Sequence, residues 1–444
     1  MKRTPRLDTS TKAIIDRVRA RPPRPPRSQA ALPLGRNVET GDPVCVPGPD
    51  EGGHILTYGF SGSGKSYAQE ALLSSLFAFH VVCPQRSPSV VMIDPAGPLF
   101  DRCLRRVVEL GIPPERVLLW ELDCADRYLA FQPLTCRGST VGYQTSAFLA
   151  VIRKMAGAKD WDLMALLRRW AALVVAPVIE AGCAPTEFEG MLSLLPNDLR
   201  DALLARCTLS SVRNVWEEEF TRYSMRQLVE QLGSTTNKLE RFYIDPHIRR
   251  LVGQTDPHRV LDLRARLDAG VIWLIKMTGG VRLHDDDLRF LVGMALSEIV
   301  RAVRQPPDRC HERAIYLAID EWHRVVGEDL LTCLRETRKF KLYAMLSGID
   351  PSAVREYDEQ LHLASLSCCK SRLLFGGLPC SELQELVRDC FALRFDPNRI
   401  KDEIYRSLTR PKETTRIIES HSEGRTSVVA ESDSEALTES WSDM

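Results

Sequence analysis

The 13 cysteines contain no C-x-x-C pair, their total is odd, and only Cys368 and Cys369 are adjacent. That excludes the usual spacing of a structural zinc site and any even disulfide framework, and it points to reduced thiols in a cytosolic protein. Net charge is missing too: Lys+Arg and Asp+Glu both number 59, so the whole-molecule charge argues for no class of partner. No apolar run is long enough to cross a bilayer. The longest, Ala171 to Ile179, is flanked by Arg168, Arg169 and Glu180 and falls well short of the roughly 20 residues a spanning helix needs. The basic start runs into more arginine and proline and not into an apolar core, so no secretory signal is read there. The expectation is a cytoplasmic protein, free or peripheral at the inner face of the membrane.

What is present is a 444-residue, 44% hydrophobic chain, enough to bury a full core and to hold two or three domains. Its charge is unevenly spread. Residues 1–36 hold ten basic and two acidic side chains, and residues 411–444 hold three basic and eight acidic ones. Residues 1–33 read as a basic Pro/Arg-rich disordered tail, and 401–444 as an acidic Ser/Thr-rich one. Between them, apolar runs at Ile55–Tyr58, Ser89–Asp94, Gly270–Met277, Ala314–Asp320, Lys341–Ser347 and Ser371–Phe375 read as strands. From 136 to 255 the apolar period turns helical, as in Trp161–Trp170 and Met225–Leu232. The expected fold is α/β with a mainly parallel central sheet. Its nucleotide-binding domain is split into 34–135 and 256–400 by an all-α insertion at 136–255.

Chemistry enters at Gly59-Phe60-Ser61-Gly62-Ser63-Gly64-Lys65-Ser66, which fits G-x-x-x-x-G-K-[ST] at every fixed position, after a strand and before a helix. The glycines let backbone N–H groups turn inward onto phosphates, and the helix adds its positive N-terminal end. Lys65 would sit on the β- and γ-phosphates of a nucleoside triphosphate, Ser66 would ligate Mg²⁺, and Tyr67 follows directly. A strand ending in Asp320-Glu321 supplies the carboxylates such a site needs. Asp320 is expected to orient Mg²⁺ and Glu321 to polarise the attacking water. Asp94 also ends a strand, but only about thirty residues after Lys65, so Asp320 is preferred.

Further motifs surround the P-loop in order: Leu34-Gly35-Arg36 and Thr40 to Val44 before it, then Val90 to Gly97 with its Ile93-Asp94-Pro95, Phe131-Gln132-Pro133-Leu134, Gly270 to Ile275, Ile319 to His323 and Leu334 to Phe340. In these segments the chain resembles the FtsK/HerA superfamily of P-loop ATPases, RecA-like in fold, and most of all the type IV secretion (conjugative) coupling proteins and their soluble relatives. The resemblance implies ATP and Mg²⁺ as cofactors, a homo-hexamer with ATP between subunits, and DNA moved through the ring in conjugation or mobile-element transfer. It further implies an arginine finger given in trans, for which Arg338 is the candidate and Arg372 the reserve, and relaxosome, secretion-channel or nuclease proteins as partners. Two departures stand out. Ile349 occupies the place of the family's usual glutamine, with Ser347 or Asp350 as substitutes, and N-terminal membrane helices are lacking, which favours a soluble relative. Two alternatives stay open: a HerA-like ATPase assisting a nuclease in DNA processing or phage defence, and an ATP-binding assembly scaffold with weak hydrolysis. Trp161, Trp170 and Trp216 could stack on bases, but at helical spacing they read as core. Lys339 and Lys341 read as a solvated face or a channel lining, and His54 as structural.

Overall fold

The computed structural model describes residues 31–124, 128–134, 139–156, 164–256, 259–304, 312–325, 327–379, 381–384 and 386. Of these described residues, those up to Gly377 belong to one unit and those from Leu378 onward to a second, in which 381–384 are helical.

Strands β1 (Ala31–Arg36) and β2 (Pro43–Pro47) make a small antiparallel ribbon. The main sheet has seven strands, all parallel, in the order β5-β6-β4-β7-β8-β3-β9. They are β3 (His54–Tyr58), β4 (Ser89–Asp94), β5 (Val117–Glu121), β6 (Ile272–Lys276), β7 (Ile315–Ile319), β8 (Leu342–Gly348) and β9 (Cys369–Leu374). The middle strands are buried along their whole length, the mark of a parallel sheet covered on both faces. Val90 and Met92 of β4 face a cluster built with helices α1 (Lys65–Val82) and α2 (Pro98–Glu109), through Leu72, Leu76, Phe77 and Phe100. Val91 and Ile93, one residue out of phase, are as fully buried on the other face.

The sequence marks β3, α1 and β4 as one strand-helix-strand unit. In the sheet, two strands, β8 and β7, lie between β3 and β4. The end of β8 therefore stands between the P-loop and the acid pair that follows β7.

Among the described residues only helices occur between β5 and β6. The longer ones are α3 (Val141–Ala156), α4 (Ala165–Glu180), α5 (Asp198–Arg206) and α6 (Met225–Leu239). Trp170 and Trp216 meet edge to face at 5.5 Å between centroids, and both are essentially buried. Their indole N–H groups donate to Gln231 and to the Leu173 carbonyl, so these two rings are core; Trp161 lies outside the described residues. The Phe-Gln-Pro-Leu motif is a joint to these helices. Phe131 packs on Trp120 of β5 and its N–H donates to the Leu251 carbonyl, while Gln144 of α3 donates to the Pro133 carbonyl. No helix among the described residues is long and apolar enough to cross a membrane.

After β6 come α7 (Asp285–Arg304), β7, α8 (Glu328–Glu336), β8, α9 (Glu359–Cys368) and β9. Phe290 of α7 meets Phe242 edge to face at 5.2 Å between centroids, which ties α7 to the helical region.

Two histidines are buried in or beside the main sheet. His54 accepts from the Ala344 N–H through Nδ1, and His80 donates from Nε2 to the Pro88 carbonyl. Burial, with Arg338 near His54 and Arg116 and Arg313 near His80, pushes both down to about 4. The unfolded chain takes up these protons near pH 6.5 and the folded one only near pH 4, so stability is lost as pH falls through that window. The expected loss is about 2 kcal/mol per histidine by pH 5. Urea unfolding at pH 7 and pH 5 measures it: His80→Gln should flatten the pH dependence, and an unchanged dependence would contradict the assignment.

Candidate functional site

The P-loop starts where β3 stops. The Gly59 N–H donates to the Ile349 carbonyl at 3.2 Å, which pins the loop to the end of β8. Gly62 and Gly64 have φ of +82° and +100°, a region that favours glycine, and α1 starts at the next residue, Lys65. Gly59 is required for another reason: a Cβ there would lie 2.5 Å from the Cβ of Phe375.

Lys65 is 7% exposed, and its Nζ donates to the Phe60 carbonyl at 2.9 Å, so the loop is closed on its own lysine. Burial draws the Lys65 ammonium below its ordinary value, opposed by the carboxylates of Asp320 and Glu321. Lys65 thus shares a field with both acids. The Ser66 hydroxyl donates to Asp320 Oδ2 at 2.8 Å. Two residues 254 positions apart are brought to hydrogen-bond distance at the C-terminal edge of the parallel sheet, where ligands of open α/β sheets bind.

Asp320 is 5% exposed, and its second oxygen accepts the Glu321 N–H at 3.0 Å. Glu321 has a φ of +42°, uncommon for a side-chain-bearing residue. The cause is local. The chain must turn at once into the 3-10 turn Trp322–Val325, whose Trp322 is fully buried against Gly348. A Cβ on Gly348 would lie 2.9 Å from the indole nitrogen. Fixed by that anchor, Glu321 keeps its carboxylate about one-third exposed.

Asp94 sits differently. It is completely buried, and its carboxylate accepts the N–H groups of Ala96 and Phe100, so it ties the Pro95–Gly97 loop to the start of α2. At the glutamine position, Ile349 offers the site its main-chain carbonyl. Of the two suggested substitutes, Asp350 caps the short helix Pro351–Arg355 by accepting from Ala353 N–H and the Ser352 hydroxyl. Ser347 is buried beside Thr57 in the sheet.

The structure does not bring Arg338 to these residues within one chain. It is exposed in the 3-10 turn Thr337–Phe340 that leads into β8, near His54 at the start of β3, whereas the P-loop follows the end of β3. Arg372, opposite Leu56 in the sheet, donates to the Leu366 carbonyl. Lys341 donates to the Glu312 carbonyl, and Lys339 lies 5.1 Å from the Phe340 ring centroid; both stand at the Arg338 end.

Tyr67 is 70% exposed, its ring covered at 5.0 Å by the guanidinium of Arg102, which Glu70 holds at 2.6 Å. The contact of the segment after β9 with the P-loop escapes the sequence reading. The Phe375 N–H donates to the Tyr58 carbonyl, and Gly377 at φ +90° lies so close to Phe60 that a Cβ would be 2.2 Å from its ring. Two consecutive glycines after a strand were the available signal.

No family model matches the sequence, and no curated protein matches it. Solved structures do match. The bacterial conjugative coupling protein TrwBΔN70, in its unbound form, aligns with a TM-score of 0.50 and 16% identity over 74% of this chain and 70% of that one. VirB4 of Thermoanaerobacter pseudethanolicus aligns with a TM-score of 0.50 and 14% identity over 82% and 88%. The chain has the α/β P-loop fold that these two proteins share, as the sequence motifs imply.

Asp94 is a test of which acid does what. Asp94→Asn removes one of two buried acceptors and should lower the unfolding free energy by about 1–3 kcal/mol while nucleotide affinity stays unchanged. Urea titration and a fluorescent-nucleotide assay read the two quantities. Unchanged stability with lost nucleotide binding would reverse the assignments of Asp94 and Asp320.

Proposed function

We propose that this protein is an ATP-driven motor ATPase of the conjugative coupling-protein and HerA kind, moving DNA through a ring of six copies. The observation that carries the reading is the hydrogen bond from Ser66 to Asp320 beside Lys65, because it assembles a hydroxyl, a carboxylate and an ammonium at the mouth of one phosphate-binding loop. The shared fold and the order of the motifs around that site support it.

The residues present fit a triphosphate with Mg²⁺. The loop that now receives the Lys65 ammonium on the Phe60 carbonyl offers a phosphate oxygen the same donor, and the paired Ser66 and Asp320 oxygens suit a hard cation. Ser66 and Asp320 would hold Mg²⁺, which would supply positive charge to the transferring phosphoryl group. Lys65 orients the phosphates, and Glu321 takes the proton of the attacking water. Gly59 to Tyr67 form the phosphate cradle, with the exposed Tyr67 ring at its rim. In a ring, the charge that spreads over the γ-phosphoryl oxygens is met by Arg338 of a neighbouring copy, since Arg338 is exposed and remote from its own Lys65. The surplus of basic side chains in residues 1–36 suits contact with a nucleic-acid backbone.

A second reading, an ATP-dependent assembly scaffold with weak hydrolysis, is favoured by one observation: Ile349 has no polar side chain, and Asp350 is engaged as a helix cap. ATP turnover with Mg²⁺, with and without DNA, separates the two. The motor reading expects DNA to stimulate turnover, Lys65→Ala to lose nucleotide binding, and Glu321→Gln to bind nucleotide but turn over at least about 100-fold more slowly. No turnover in either condition would leave the scaffold.

A further inference from the structure

Beside Glu321 stands an arginine that the P-loop motifs do not include. Arg324 follows three residues later, and its N–H donates to the Glu321 carbonyl at 2.9 Å, so the 3-10 turn places the two side chains on one side. One terminal nitrogen of its guanidinium donates to the Pro95 carbonyl at 3.3 Å and lies 3.9 Å from a Glu321 carboxylate oxygen. The other lies 3.5 Å from the carboxylate of Asp285, in the first turn of α7. The fork thus meets three elements at once: the loop after β4, the turn after β7 and the head of α7. Next to Asp285, Asp287 pairs with Arg241 from the helical region at 3.1 Å, and Arg324 and Arg241 line the same cavity of about 400 Å³.

We infer that Arg324 is a positioning residue for hydrolysis: it aims the Glu321 carboxylate and ties that aim to the head of α7. The inference rests on the proposed role of Glu321 as the base.

The physical case is one of geometry. Glu321 is held by its main chain in a left-handed turn, but a glutamate side chain keeps several rotatable bonds, and a base must lie within hydrogen-bond reach of the proton it takes. An ion pair 3.9 Å apart whose side chains are 24% and 34% exposed adds little to stability, so a role limited to holding the fold would be small. An arginine fixed at two other points is a rigid reference that restricts the carboxylate to one sector. Lysine carries a single nitrogen and cannot span the Pro95, Asp285 and Glu321 positions together. Because Asp285 and Asp287 belong to one helical turn and Asp287 is paired with Arg241, a shift of the helical region against α7 would be felt at Arg324. The arrangement offers a path by which an event in the helical region changes the rate at the phosphate site.

The test is steady-state ATP hydrolysis by the full chain, together with binding of a non-hydrolysable ATP analogue. Arg324→Ala should lower kcat by roughly 10–100-fold, the scale on which misplacing a catalytic group acts, with KM and analogue affinity unchanged. Arg324→Lys should regain part of that loss. Asp285→Asn, which removes a distant anchor and leaves Glu321 and Arg324 in place, should lower kcat several-fold with KM unchanged. Wild-type kcat in Arg324→Ala, a loss shared equally by analogue affinity, or full recovery in the lysine variant, whose single nitrogen cannot span the three positions, would each overturn the inference. A wild-type protein that binds the analogue and never hydrolyses ATP would instead overturn the motor reading and this inference with it. The two failures are thereby told apart.

Discussion

The arrangement of the candidate site depends on one hydrogen bond, from the Ser66 hydroxyl to Asp320 across the edge of the sheet. Ser66 owes its place to α1, which starts only because Gly62 and Gly64 accept positive φ, and Asp320 owes its place to the end of β7. The two strands that deliver them are not neighbours; β8 lies between. Its last residue, Gly348, and the next one, Ile349, set the spacing, the first by making room for Trp322 and the second by receiving the Gly59 N–H. The P-loop and the acid turn are therefore both referenced to the same strand end.

The same parallel sheet separates the chain into two chemically different ends. The C-terminal edges carry Lys65, Ser66, Asp320 and Glu321, whereas Arg338, Lys339 and Lys341 stand at the start of β8, beside His54. Parallel strands force this polarity, since every strand runs the same way. An arginine at the far edge can complete a phosphate site only in another copy, so the proposed role of Arg338 depends on the proposed ring.

Much of the sheet is legible in the sequence because β4, β6, β7 and β8 are buried on both faces and spell nearly unbroken apolar runs. β5 was not legible: most of its residues are only partly buried at the sheet's edge, and a short run after Pro113-Pro114 resembles a loop. β1 begins at Ala31, inside text whose proline and basic content resembles the tail before it. The P-loop could be named from its spacing and Asp320-Glu321 from an apolar strand that ends in two adjacent acids, because both signals are local in the sequence. Arg324 and the Phe375–Gly377 segment could not, since their roles come from contacts between elements far apart in sequence. Nor could sequence tell that Asp94, a strand-ending acid of the same appearance as Asp320, is engaged by Ala96 and Phe100.

The central claim, that Ser66 and Asp320 form the two protein-side holds of a nucleotide-bound cation, is tested most directly by titrating a non-hydrolysable ATP analogue calorimetrically with and without Mg²⁺. Wild type is expected to bind more tightly when Mg²⁺ is present, and Ser66→Ala and Asp320→Asn to lose that gain while keeping metal-free binding through Lys65. The same gain from Mg²⁺ in wild type and in both variants would contradict the account.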